Sequence, residues 1–131
     1  LWDVPNILGQ KFPADNFQVT TKITFTPNDK LENEKVGLII LGQDYSTLFL
    51  KSKKDGIYLG YGLCKGAVKG KEEVESIINK IDTKTLYFRV QVSNGGICKW
   101  FYSTDNKKFL PITEPFTALP GKWVGAKVGL Y

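Results

Sequence analysis

From Leu86 to Phe109 the chain alternates so regularly that strand partners can be assigned on paper. Leu86, Phe88, Val90 and Val92 alternate with Tyr87, Arg89, Gln91 and Ser93, the period of two that marks a half-buried strand. After Asn94-Gly95-Gly96, Cys98, Trp100 and Tyr102 alternate with Lys99, Phe101 and Ser103. A three-residue loop with a glycine in the left-handed conformation sets Val92 opposite Cys98, Val90 opposite Trp100 and Phe88 opposite Tyr102. A two-residue loop would place Val92 against Lys99 and mix core with solvent, so the pattern selects the longer loop. The next turn, Asp105-Asn106, uses residue types that tolerate positive φ; a two-residue loop there places Tyr102 opposite Phe109. Three strands then share an aromatic-rich inner face, which requires a second layer to cover it.

A length of 131 residues fits one domain around one core. The net charge of +5 raises the question of nucleic acid. Its distribution argues against that reading: the lysines are scattered, and Arg89 is the only arginine, the residue type that grips phosphate and guanine with two hydrogen bonds. No apolar run approaches the ~20 residues that span a bilayer, so no membrane partner is expected. Histidine and methionine are absent, which removes the commonest general base and a common metal ligand. The opening at Leu1, without Met or a signal-like run, suggests a processed product or an excised piece. For Cys64 and Cys98 two readings stand: a disulfide between strands, which would imply an exported protein, or two buried thiols.

In chain order, a short strand precedes Phe12-Pro13, with Trp2 and Pro5 in the approach. Residues Asn16 to Thr26 alternate cleanly, with Phe17, Val19, Thr21, Ile23 and Phe25 on one side. Val36 to Gly42 is apolar at each non-glycine position, as expected of a central strand covered on both sides. Tyr45 to Lys53 and Gly56 to Cys64 form a hairpin about Asp55-Gly56. A two-residue loop there pairs Leu48 with Leu63, Phe49 with Gly62, Lys51 with Gly60 and Lys53 with Tyr58. Between Gly70 and Ile81 the spacing fits both a strand and a short helix, and the strand is preferred because strands surround it. Gly121-Lys122 marks a turn, and Gly125, Ala126 and Gly129 a final strand with close packing. The whole is all-β: an antiparallel β-sandwich of jelly-roll type, with Phe17, Ile23, Phe25, Leu38, Ile40, Leu50, Phe88, Val90, Trp100 and Tyr102 between the sheets.

Catalysis finds little support in these residues. A glycosidase needs two carboxylates about 5 to 9 Å apart across a cleft. Glu32 with Glu34, and Glu73 with Glu75, have strand spacing, but the first pair falls in a lysine-rich turn and the second on a polar edge expected to be solvated. No Ser or Cys has a histidine to activate it. Binding is better supported, because aromatic faces stack on the apolar side of a sugar ring while planar polar groups take its hydroxyls. One candidate surface is a trough in which Phe49 and Tyr58 stand beside the bare backbone of Gly60 and Gly62. The other is the outward face on which Tyr87, Arg89 and Phe101 lie, with Arg89 over Phe101 as a cation-π pair. For either surface an intramolecular or domain interface is the stronger single reading. Loop acids such as Asp29 and Asp44 are of the kind that hold a structural calcium; no other cofactor or metal is indicated.

Four pieces carry a family resemblance: LWDVPNILGQKFPA at Leu1 to Ala14, TTKITFTPNDKLENEKVGL at Thr20 to Leu38, CKWFYSTDNKKF at Cys98 to Phe109, and GKWVGAKVGLY at Gly121 to Tyr131. Together they resemble the C-terminal concanavalin-like β-sandwich of glycoside hydrolase family 43 β-xylosidases and α-L-arabinofuranosidases. The resemblance implies that hydrolysis belongs to a catalytic propeller domain whose acids are not in this chain. It also implies that the sandwich packs on that propeller and, in some members, binds xylan. Asn106 stands where the family often has Gly, and Phe101 where a small polar residue is usual. The family's sandwich normally extends beyond both ends of residues 1–131, so exposed edges, and with them self-association, are expected. The expected function is therefore a non-catalytic accessory module of an exported, periplasmic or extracellular xylan- or arabinoxylan-degrading hydrolase. The alternatives are a stand-alone jelly-roll glycanase or lyase, and a protein-interaction sandwich without a glycan ligand.

Overall fold

Alternating side chains give a strand two unlike sides, and two such sheets close over each other in this chain. The computed structural model describes residues 6–112, 115–121 and 125–131. The expectations on Trp2, Pro5, Lys122 and the first two residues of WVGAKVGLY fall outside the described residues. Those described form β1 (Leu8–Lys11), β2 (Phe17–Thr24), β3 (Lys35–Leu41), β4 (Tyr45–Lys53), β5 (Gly56–Cys64), β6 (Val74–Ile81), β7 (Thr85–Ser93), β8 (Ile97–Ser103), β9 (Leu110–Pro111), β10 (Phe116–Thr117) and β11 (Lys127–Leu130). A six-stranded sheet runs in the order β1-β11-β3-β4-β5-β6, and a five-stranded sheet in the order β10-β8-β7-β2 with β9 also paired to β8. Every pairing is antiparallel. The segment left between helix and strand is strand β6.

The central hairpin keeps the predicted register: Val92 faces Cys98, Val90 faces Trp100 and Phe88 faces Tyr102. Gly95 and Gly96 both have positive φ, 81° and 72°, and the Gly96 amide donates to the Ser93 carbonyl at 3.0 Å to close the turn. Two other registers differ from expectation. Tyr102 pairs with Leu110 rather than Phe109, because a longer loop replaces the two-residue turn. The Asp105 carboxylate organises that loop, accepting the amides of Lys107 at 2.8 Å and Lys108 at 2.9 Å and the Ser103 hydroxyl at 2.9 Å, while Asn106 takes φ 60°. In the β4–β5 hairpin, Lys53 pairs with Gly56, so Lys54 and Asp55 form the turn and all partners slip by two residues. The sides are unchanged by an even slip, but Phe49 now faces Gly60, and Leu50 faces Leu59.

The interlayer core contains the ten predicted residues. Ile23, Leu38, Ile40, Leu50, Phe88, Val90 and Trp100 are buried, and Phe17, Phe25 and Tyr102 pack against them partly covered. Burying a side chain of this size contributes about 1.5–3 kcal/mol. β3 is central as expected, with Leu38 and Ile40 in the core and Ile39 buried in a second cluster on the other side with Tyr45, Cys64 and Ala67. That second cluster settles the cysteines. Both thiols are free and buried, on opposite sides of the six-stranded sheet, so the disulfide is not formed. Burial pushes the Cys98 thiol up to about 12.

Across the core, the Trp100 indole N–H donates to Ser46 Oγ at 3.0 Å, joining β8 to β4. Ser46→Ala should leave that N–H unsatisfied and lower the unfolding free energy by about 1–3 kcal/mol, read from denaturant titration. Neither thiol should react with an aromatic disulfide reagent in the native state at neutral pH, and reductant should leave the melting temperature unchanged. A one-thiol reaction before unfolding would contradict the burial described.

Candidate functional site

The outer side of the six-stranded sheet is closed by the chain's own side chains. Phe49 is 0% exposed, and its Cε2 lies 2.3 Å from the position a Cβ on Gly60 would take, so the ring fills the glycine gap. The predicted trough is thereby occupied at Gly60. At Gly62 it is occupied by Glu73, whose Oε1 lies 2.0 Å from the corresponding Cβ position. Tyr58 stands at the rim, its hydroxyl donating to Asp55 Oδ2 at 2.5 Å and its ring flanked by Lys53 Nζ at 4.7 Å and Lys80 Nζ at 5.8 Å. The hydrogen bond to Asp55 raises the Tyr58 pKa.

Glu73 and Glu75 therefore lie over the sheet rather than on a solvated edge. Strand β6 pairs with β5 so that Glu75 faces Gly62, and this brings both carboxylates to Lys35 on β3. Lys35 Nζ is 3.0 Å from Glu73 Oε1 and 3.0 Å from Glu75 Oε1; Lys51 Nζ is 2.6 Å from Glu75 Oε2. Tyr45 Oη donates to Glu73 Oε2 at 3.1 Å. Burial alone would push the Glu75 carboxyl up, but hydrogen bonds from Lys51 and Lys35 outweigh it and hold the pKa below its usual value. Burial, then the charge of Glu73, raises the pKa of Tyr45. Among the described residues the buried Tyr131 hydroxyl makes no hydrogen bond of good geometry, and burial raises its pKa against an opposing interaction with Thr47. The chemistry available here is that of a neutralised ion network. An acid tied to two ammonium groups is a poor proton donor and a hindered nucleophile.

Clefts lie elsewhere among the described residues. One, about 500 Å³ between β2 and the β1–β11 edge, is lined by Leu8, Val19, Leu38 and Val128 among others and by no acid. A second, about 430 Å³, has Asp44 as its acid, and Asp44 Oδ1 is taken by the Gly66 amide at 2.6 Å. Asp29 lines a third with Glu32. Among the described residues no three of His, Cys, Asp and Glu converge as metal ligands, so Asp29 and Asp44 stand apart from any such group. No helix among them is long and apolar enough to cross a membrane.

On the outer side of the five-stranded sheet Gln18, Thr20, Gln91 and Lys99 are exposed, and Tyr87, Arg89 and Phe101 are partly covered. Here Arg89 faces Phe101, Gln91 faces Lys99 and Tyr87 faces Ser103, as read from the sequence. The guanidinium does not stack on Phe101. Its carbon lies 3.5 Å from the centre of the Phe109 ring, which the Asp105 loop brings over β7, while Nε donates to Thr20 Oγ1 at 2.8 Å. Beside it Gln91 Nε2 donates to Gln18 Oε1 at 3.0 Å. Phe101, partly covered, lies across from Pro111 of β9. Aromatic, guanidinium and amide groups thus alternate over one surface, with Phe109 the member that sequence reasoning missed. Its signal was Asn106, whose positive φ turns the loop back.

Lys35→Met should leave Glu73 largely buried without its ammonium partner and cost about 2 kcal/mol, less than a fully buried pair because water still reaches Glu75. Denaturant titration reads this loss, and the double change Lys35→Met with Glu73→Gln should recover part of it. Asp105 gives a pH signature. Amide hydrogen bonds from Lys107 and Lys108, with that of Ser103, lower its carboxyl from 3.8 to about 2. A depressed pKa stabilises the fold above the unfolded value, and that contribution is lost as pH falls from about 4 through 2. Asp105→Asn should remove this part of the acid unfolding limb, and NMR should find the native carboxyl ionised at pH 3.

Comparison with solved structures finds the same fold in glycoside hydrolases. The chain superposes on the xylan β-1,4-xylosidase of Bacillus halodurans C-125 with a TM-score of 0.73 at 17% identity, covering 95% of this chain and 25% of that one. The GH43 BlXynB protein of Bacillus licheniformis gives 0.72 at 16% identity, over 96% and 25%. A functionally unknown protein of Saccharomyces cerevisiae gives 0.66 at 14% identity, over 95% and 61%. The chain thus spans about a quarter of the length of either bacterial protein. A comparison with curated protein sequences finds no match. The model of the β-xylosidase C-terminal concanavalin A-like domain matches residues 1–131, and the chain belongs to that family.

Proposed function

We propose that this chain is the non-catalytic accessory module of a longer xylan- or arabinoxylan-degrading glycoside hydrolase, bracing a catalytic propeller domain and holding xylan weakly on the outer side of its five-stranded sheet. The observation that carries the reading is the whole-length match to a β-xylosidase C-terminal domain. The ion network supports it, because one of the two acid pairs with strand spacing, Glu73 and Glu75, is committed to Lys35 and Lys51.

The sugar platform consists of Tyr87, Arg89 and Phe101, with Phe109 holding the guanidinium flat. A ring face on Phe101 and planar donors from Arg89 and Gln91 match the two unlike aspects of a pyranose. A shallow open surface immobilises few sugar units, so affinity on the order of millimolar is expected. Phe49, Gly60 and Gly62 contribute to stability instead, and Tyr58 to the rim.

Titration of the chain with xylohexaose, followed by NMR, should move the amides of Tyr87, Arg89 and Phe101 and leave those around Phe49 and Gly62 unmoved. Phe101→Ala should abolish the response with the fold intact. Release of reducing sugar from xylan by this chain alone would overturn the accessory assignment. The absence of any shift at saturating sugar would remove the glycan half and leave bracing.

A further inference from the structure

Two long strands end the sheets, and they treat their exposed edges differently. β2 turns Gln18, Thr20, Lys22 and Thr24 outward, a polar surface of the kind that discourages pairing. β6 does not: Val74 is 69% exposed, and Ile77 and Ile78 are each 39% exposed on a strand of eight residues without proline. One edge of β6 pairs with β5, and the other has no strand paired to it among the described residues. Such an edge is a template for another strand.

The occupant is specified by the order of residues along β6. Its pairing with β5 slips at a β-bulge: Leu59 faces Asn79, and Gly60 faces Ile77, which leaves Ile78 as the inserted residue. The insertion changes which residues share a side. Glu75 and Lys80 both fall on the outer side, opposite Gly62 and Tyr58; Val74, Ser76, Asn79 and Ile81 all fall on the inner side, opposite Leu63, Tyr61, Leu59 and Ile57. Residues five and seven apart therefore face the same way, which an unbroken strand forbids.

From this we infer that β6 is a self-complementary edge and that its partner is β6 of a second copy, antiparallel about a twofold axis between Ile77 and Ile78. In that register Val74 of one copy meets Ile81 of the other, Glu75 meets Lys80, Ser76 meets Asn79, and Ile77 meets Ile78. Apolar meets apolar, acid meets base, and polar meets polar, each on its own side. A twofold interface requires such matching of a surface with itself. Glu75 keeps Lys35 and Lys51 in this arrangement, and Lys80 exchanges its contact with Asp55 for a shared one. The inference is independent of the glycan reading, which concerns the other sheet.

Cross-linking tests the register. The native thiols are buried, so introduced cysteines report alone. The double variant Ser76→Cys with Asn79→Cys should form a covalent dimer on mild oxidation, and Ser76→Cys mixed with Asn79→Cys should form a mixed dimer. Either single variant oxidised alone should stay monomeric, since its cysteine meets no other. In sedimentation velocity the unmodified chain should associate as concentration rises, and Ile78→Lys, at an exposed position, should sediment as a monomer with an unchanged circular dichroism spectrum. Absence of dimer in the double variant, cross-linking in a single variant, or unchanged association of Ile78→Lys would each overturn the proposal.

Discussion

The indole of Trp100 is the point at which the two layers hold each other. Its ring fills the middle of the interlayer, and its N–H reaches Ser46 on the opposite sheet, a buried polar bond within an apolar core. Apolar contact is non-directional and would tolerate a sliding of one sheet over the other. A hydrogen bond in low dielectric does not, because a displaced partner leaves a buried donor unsatisfied. The alignment of β8 over β4 follows, and with it the positions of both outer surfaces.

Those outer surfaces have opposite characters. On the six-stranded sheet, glycines at 60 and 62 leave room that Phe49 and Glu73 occupy, and two lysines neutralise the acids drawn in with them. That side is stability. On the five-stranded sheet, side chains pair laterally, Arg89 with Thr20 and Gln91 with Gln18, and lie flat. On the proposed reading this polar and aromatic surface holds a long polymer rather than serving a reaction, which needs a depth that excludes water. The module is about a quarter the length of the bacterial proteins it resembles in fold.

How much of this was legible depended on which residues carry the information. Alternation from Leu86 to Tyr102 and the Asn94-Gly95-Gly96 turn fixed the central hairpin, because an error of one residue there would have exposed Val90 and buried Lys99. The β4–β5 hairpin failed differently. A slip of two leaves every side chain on its proper side, and Phe49 opposite a glycine in either register, Gly62 or Gly60, so the pattern could not choose. At Asp105 a side chain gathered backbone amides and lengthened a loop, which period counting does not see. The ion network was hidden for a related reason: Glu73 and Glu75 acquire a side only once β6 has a partner.

The inserted residue at Ile78 acts as a vernier between the two halves of β6. Residues before it and after it are out of phase by one, and the matched side of Glu75 and Lys80 exists only because of that offset. Losing a single residue between Glu75 and Lys80 would bring the halves back into phase and send one of the pair through to the other surface. The turns that flank β6 do not touch this offset, whereas the number of residues between Glu75 and Lys80 sets it, by arithmetic rather than by any one side chain.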